Sequence, residues 1–222
     1  MTQYTMRALA ASAVAAAALL LVPGVAAAHE QAAVVSTDAD VDGDGLAEPV
    51  TLRQLSPGTQ LLRIELPSGY VEDQVPGLDG VELPLIVPSV VDVNGDGRDE
   101  LVLSLALGVN TTTFEVWGFD DDRLHALTTE DGAPWRLYEG GGMSAVGEYG
   151  CVPGTPGRQL RTVQAVMDDA ASRDGTPRYD GEVVTYVVAG GVAHPAGTGR
   201  LEDVTRDDPR AQADPATCAA VS

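Results

Sequence analysis

The chain has 222 residues, 33 of them acidic and 13 basic, for a formal net charge of −20. That balance leaves no basic face for phosphate contacts or for docking on anionic lipid, so neither nucleic acid nor an acidic membrane surface is an expected partner. With 44% hydrophobic residues it is no disordered acidic tail, and 25 glycines and 14 prolines favour short strands and turns over long helices.

Residues 1–28 have the layout of a secretory signal. Arg7 precedes the apolar run Ala8–Val22, Pro23-Gly24 breaks it, and Ala26-Ala27-Ala28 supplies a small-residue cleavage pattern. The run of about 15 residues is shorter than the roughly 20 that span a bilayer. No cysteine follows it to carry a lipid. Cleavage after Ala28 leaves 222 minus 28, or 194, residues, and because Arg7 is the only charge removed the balance becomes −21. The expected location is extracellular, with no membrane span after cleavage and a loose tail over 29–37. His29 would then be the N-terminus. A terminal amine with its imidazole chelates copper, as in copper-dependent polysaccharide oxygenases, but nothing else here resembles those enzymes. His29 reads as an accident of cleavage in a frayed tail.

Strand signals follow in order. Pro49–Leu55 and Gln60–Leu66 flank the turn cluster Ser56-Pro57-Gly58. Val81–Val91 is apolar with interior prolines, hence an edge strand or extended loop. Leu101–Leu107 is strand-like, and Thr111–Phe119 and Arg123–Thr128 form a hairpin about Asp120-Asp121-Asp122. Arg158–Met167, Glu182–Ala189 and Val192–His194 complete the set, the last two joined at Gly190-Gly191. One helical turn is expected at Asp168–Arg173. The fold class is therefore all-β, with short antiparallel strands.

An internal repeat underlies this series. Asp40-Val41-Asp42-Gly43-Asp44-Gly45-Leu46-Ala47-Glu48 returns as Asp92-Val93-Asn94-Gly95-Asp96-Gly97-Arg98-Asp99-Glu100. This is the chemistry of a hard-cation loop. Oxygen ligands at positions 1, 3 and 5 point inward from a curved backbone, and glycine at position 6 permits the sharp turn. The carbonyl at position 7 and a carboxylate at position 9 close the shell. The ligand sets are Asp40, Asp42, Asp44, the Leu46 carbonyl and Glu48, then Asp92, Asn94, Asp96, the Arg98 carbonyl and Glu100. Oxygen donors without cysteine or histidine select calcium over zinc or copper. A full EF-hand would need Glu at position 12, where Thr51 and Leu103 stand, and its flanks would be helical.

A metal loop running straight into a strand resembles the FG-GAP/VCBS-type repeats of integrin-like propellers. Asp92–Leu103 carries the closest match, and Val116-Trp117-Gly118 with Arg123-Leu124 looks like the later strands of such a unit. The resemblance covers residues 38–128 best and implies propeller-blade-like repeats, each a four-stranded blade with calcium in an inter-strand loop. About three units are expected within 38–200, near 38–90, 91–146 and 147–200, the third without the acidic loop. Three blades are too few to close a typical propeller, so an open or incomplete one is expected. Glu48 and Glu100 also stand where the family usually has Asp.

Cys151 and Cys218 are the two cysteines, and in an exported chain an even count points to one disulfide, tying the tail 201–222. No Gly-x-Ser-x-Gly occurs, and Gly140-Gly141-Gly142 lacks the lysine of a phosphate cradle. Trp117, Trp135, Tyr138 and Tyr149 are candidates for a sugar or peptide platform, although burial in the core is the simpler expectation. The favoured function is a secreted, non-catalytic calcium-binding protein with mainly structural calcium. Its outward role would be adhesion or binding of an extracellular protein or carbohydrate. The alternative is a secreted enzyme, carbohydrate-active or copper-dependent through His29, with calcium as a structural ion.

Overall fold

The computed structural model describes residues 33–77, 84–155, 157–170, 172 and 175–219. The signal segment, His29, residues 81–83, and Ala171 and Arg173 of the expected helical turn lie outside them.

The described residues are all-β and antiparallel but for one short parallel pair, with no α-helix among them. The first sheet is a meander of β1 (Val34–Ala39), β2 (Glu48–Ser56), β3 (Thr59–Leu66) and β4 (Gly69–Pro76), in that spatial order. Its central strands alternate because one face is covered and the other wet. Val50 and Leu52 of β2 and Leu62 and Ile64 of β3 are buried, while Arg53 is exposed. Arg63 lies over the Tyr70 ring at 3.7 Å and pairs with Glu65.

The same strand succession recurs. β5 (Ser89–Val91), β6 (Glu100–Leu107), β7 (Thr111–Asp120) and β8 (Arg123–Ala126) pair in sequence order. Here, however, the sheet continues. The N-terminal half of β7 pairs with β10 (Arg136–Gly140), followed by β11 (Ala145–Pro153), β12 (Arg158–Met167), β13 (Tyr179–Ala189) and β14 (Val192–Val204). The short β9 (Thr128–Thr129) pairs parallel with β14. Leu127 donates its N–H to the Val116 carbonyl and Thr128 donates to that of Gly191, so segment 123–129 bridges β7 and β14. No closed barrel or propeller forms among the described residues. The expected boundary between second and third units, 146/147, falls inside β11. Residues 34–37, expected in the tail, belong to β1.

Three apolar clusters result. One joins the first sheet to β6–β8 through Val50, Leu52, Leu62, Ile64, Leu101, Leu103, Trp117 and Leu124. A second lies on the other face of β6 and β7, with Val102, Val116, Leu127, Trp135, Leu137, Tyr149 and Leu160. β6 is thus covered on both sides, which explains the unbroken apolar run Leu101-Val102-Leu103. The third packs Val146, Val163, Ala165, Tyr179 and Leu201 against the C-terminal segment at Ala211.

That segment continues through two short 3-10 turns, Pro209–Ala211 and Pro215–Cys218, to the Cys151–Cys218 disulfide. Cys151 donates its N–H to Thr217 Oγ1 at 2.7 Å, and Ala219 bridges to Val91. The cross-link closes a separation of 67 residues. On chain-entropy grounds it constrains the unfolded chain by about 4 kcal/mol. The double variant Cys151→Ser/Cys218→Ser should lose stability toward that size in non-reducing denaturant melts. A loss below about 0.5 kcal/mol would show that the cross-link contributes little.

Candidate metal centre

Both acidic segments occupy the same place, the connection between the first two strands of a meander. Loop 1 spans 40–47 between β1 and β2, and loop 2 spans 92–99 between β5 and β6. Their internal hydrogen bonds match position by position. Asp40 accepts from the N–H groups of Gly43 and Gly45, both at 2.8 Å, and Asp92 accepts from Gly95 (2.6 Å) and Gly97 (3.3 Å). Asp42 accepts from Asp44 N–H and Asp44 from Leu46 N–H, as Asn94 accepts from Asp96 and Asp96 from Arg98. Glu48 reaches back to the Val41 N–H (3.1 Å), and Glu100 to that of Val93 (2.9 Å). The backbone folds around its own carboxylates because position 4 and position 6 glycines take positive φ: 79° and 87° at Gly43 and Gly45, 75° and 85° at Gly95 and Gly97.

Each loop is also clamped from outside, and the clamps correspond. The Asp40 N–H donates to Asp99 Oδ2 and the Asp40 carbonyl accepts from the Asp99 N–H, both at 2.8 Å. The Asp92 N–H donates to the Cys218 carbonyl at 3.0 Å, and the Asp92 carbonyl accepts from Arg158 Nη1 at 2.6 Å. An arginine lies against each position 4 glycine, Arg98 through its side chain and Arg158 through its backbone and Cβ. A Cβ on Gly43 would meet Arg98 Cγ at 2.9 Å, and one on Gly95 would meet the Arg158 backbone N at 3.1 Å. Gly157 and Arg158, at the start of β12, therefore seat on loop 2 much as loop 2 seats on loop 1.

Burial raises the carboxyl pKa values at the loop ends. Glu100 is 7% exposed, and loss of hydration, with the negative charges of Asp96, Asp92 and Asp99, pushes its pKa up to about 8 against the Val93 hydrogen bond. Glu48 is raised in the same sense, first by burial and then by Asp42, Asp44 and Asp40. Burial likewise raises Asp99, with further contributions from Asp40 and Asp92.

The donor set fits a hard divalent cation. One oxygen each of Asp40, Asp42 and Glu48 lie within 4.8 Å of one another. Opposite ligands of a calcium ion at 2.3–2.6 Å stand roughly 5 Å apart, so these oxygens can share one shell. Asp44 and the Leu46 carbonyl follow on the same loop. Loop 2 repeats the hydrogen-bond pattern with Asp92, Asn94, Asp96, the Arg98 carbonyl and Glu100 at the equivalent positions, but among the described residues only the loop 1 carboxylates converge in this way. The Asn94 amide donates to Asp96 Oδ2 at 2.9 Å, a bond that Asp42 cannot offer to Asp44.

The other candidates do not converge. Trp117, Trp135 and Tyr149 are buried in two different clusters, and only Tyr138 of the four aromatics is exposed, so they form no common platform. His194 Nδ1 lies 2.9 Å from Glu130 Oε1, while His125 lies against Gly118 and Gly191. Gly140, the last residue of β10, and Gly141 and Gly142 after it all take positive φ. Asp99 and Arg158 were not singled out from the sequence. Asp99 sits inside the motif as an unassigned position, and Arg158 comes from a distant strand. Among the described residues no helix is long and apolar enough to cross a membrane. No known protein family, curated protein or solved structure matches the chain.

Proposed function

We propose that this is a secreted, non-catalytic calcium-binding β-repeat protein of FG-GAP/VCBS-like build, in which two calcium ions act mainly as structural cross-links of the strand connections. The observation that carries this reading is the repetition of one closed oxygen-donor loop, hydrogen bond for hydrogen bond, at the same topological position in two consecutive meanders. A single acidic turn needs no ion to explain it. Two that each end on a buried glutamate, Glu48 and Glu100, beside further acids of the same loop call for a counter-charge.

Calcium would be held by Asp40, Asp42, Asp44, the Leu46 carbonyl and Glu48 in loop 1. In loop 2 the holders would be Asp92, Asn94, Asp96, the Arg98 carbonyl and Glu100. The ion supplies the positive charge that these groups lack. The protein's own contribution is to fix the backbone through glycines and external clamps, so that little ordering remains at binding. The seating of Gly157 and Arg158 on loop 2 supports a blade-like third unit that has kept the contact and lost the acids. The signal-like N-terminus supports export, and the disulfide is compatible with an oxidising compartment. Outside the cell the module would serve adhesion or the binding of a protein or carbohydrate.

Calorimetric titration of metal-stripped protein with calcium should give two ions per chain. A stoichiometry of zero would overturn the reading. N-terminal sequencing of secreted material should begin at or near His29, and an intact Met1 form held in the membrane would refute export.

A further inference from the structure

The two loops are not separate sites that happen to share a fold. Asp99 belongs to loop 2, one residue before Glu100, yet its hydrogen-bonding groups serve loop 1. Its carboxylate accepts the Asp40 N–H and its own N–H donates to the Asp40 carbonyl, each at 2.8 Å. Asp40 is the first donor of loop 1, with both side-chain oxygens already committed to Gly43 and Gly45. The main chain at the first donor of one loop is thus fastened to the main chain beside the last donor of the other. Asp99 is 9% exposed, so water competes poorly for these bonds. The adjacent Arg98 reinforces the contact, its side chain lying across Gly43. The equivalent residue in loop 1 is Ala47, which has no carboxylate, so this clasp occurs once and joins the pair in one direction along the chain.

We propose that Asp99 is a positioning residue that couples the two cation loops, so that they take up calcium cooperatively. The inference rests on the calcium reading above. Closing loop 2 on an ion holds segment 98–100 in place. That orders the acceptor and donor that set Asp40, and loop 1 then has less ordering left to do when its own ion arrives. By linkage the effect is reciprocal, so an ion in loop 1 tightens loop 2 by the same factor. Couplings of this kind between sites amount to about 5- to 150-fold in affinity.

Calcium titration of the metal-free full chain tests this directly. The wild type should bind two ions with a Hill coefficient above 1. Asp99→Ala leaves every proposed ligand in place and removes the carboxylate half of the clasp, keeping the backbone bond to the Asp40 carbonyl, so it should still bind two ions but with a Hill coefficient lowered to 1 or below. Asp99→Asn keeps an oxygen for the Asp40 N–H and should restore cooperativity at least in part, separating the clasp from a general loss of stability. A cycle with Asp92→Ala adds a second measure. Disabling loop 2 should weaken loop 1 by about fivefold or more in the wild-type background and by clearly less in Asp99→Ala. Two ions bound independently by the wild type would overturn the coupling and leave the calcium sites standing. No ion bound by the wild type would overturn both.

Discussion

Raising the pH of the calcium-free protein from about 4.5 to 8 should lower its stability by up to about 5 kcal/mol, most of it through Glu100. The sign follows from proton counts. An exposed glutamate in the unfolded chain ionises near 4.5, whereas burial holds the folded Glu100 neutral to about 8. Between these values the folded state binds the extra proton, so stability falls as pH rises and the full penalty is present above pH 8. Glu48 and Asp99 are shifted in the same direction and add to the slope. Asp131 and Asp208 are lowered by their hydrogen bonds, so they act below pH 4, outside this window. Denaturant melts in chelator at pH 5, 6, 7 and 8 would measure the effect. Glu100→Gln should flatten most of the slope, because the amide occupies the same space without a charge to desolvate. Stability that is constant or rising over that range in chelator would contradict the assignment.

Calcium should reverse the loss. An ion that binds only the native state stabilises it by about 2.7 kcal/mol at a hundred times its Kd, so two loaded loops add about 5 kcal/mol. For a chain of this size that is a rise of about 10–20 °C in Tm. Magnesium should do less, because it gives up water reluctantly and demands a tighter octahedral shell. Asp92→Ala should remove the share of loop 2. That loop is also expected to be the weaker binder, since Asn94 replaces a carboxylate and its amide already satisfies Asp96. The two predictions are linked. The ion needs Glu100 ionised, so calcium affinity should climb as pH rises toward 8, in the range where the metal-free protein weakens. Thermal melts in chelator, then in stepwise calcium, read both. Melts unchanged across that series would reduce the loops to ordinary acidic turns.

Much of this architecture was open to reading from local pattern. β2, β3, β6, β7 and β12 carry apolar periodicity strong enough to be recognised alone. The disulfide followed from the even cysteine count in a chain with a signal-like N-terminus. β1, β4, β10 and β11 are not among the expected strands: β1 and β4 are edge strands with few buried residues, and in β10 and β11 Gly140, Gly147 and Gly150 interrupt the apolar pattern. In Gly69–Pro76 only Val75 is buried among polar neighbours, so hydrophobic patterning has little to register. Of the edge strand or extended loop expected over 81–91, the described residues 84–88 lie outside any strand and Ser89–Val91 form one, since neither Pro84 nor Pro88 can donate to a ladder. The single helical turn at 168–173 amounts, among described residues, to the Ser172 N–H bonded to the Asp168 carbonyl and an Asp168 side-chain bond to Ala170.

By itself the sequence determined the strand-and-turn grammar, the two acidic loops and the order of their carboxylate and amide side chains, because each depends on residues within about ten positions of one another. Glycines with positive φ and carboxylates two residues apart bend a chain into that loop wherever it lies. Only the tertiary structure decided that β5–β7 and β10–β14 run on as one sheet, since β7 divides its length between β8 and β10. It alone decided that Asp40 meets Asp99, 59 residues away, and that Asp92 is held by Arg158 and Cys218. Contacts at such separations leave no local periodicity in a chain. They arise when buried main-chain N–H and carbonyl groups at the loop ends must find partners, and packing sets which partners are within reach.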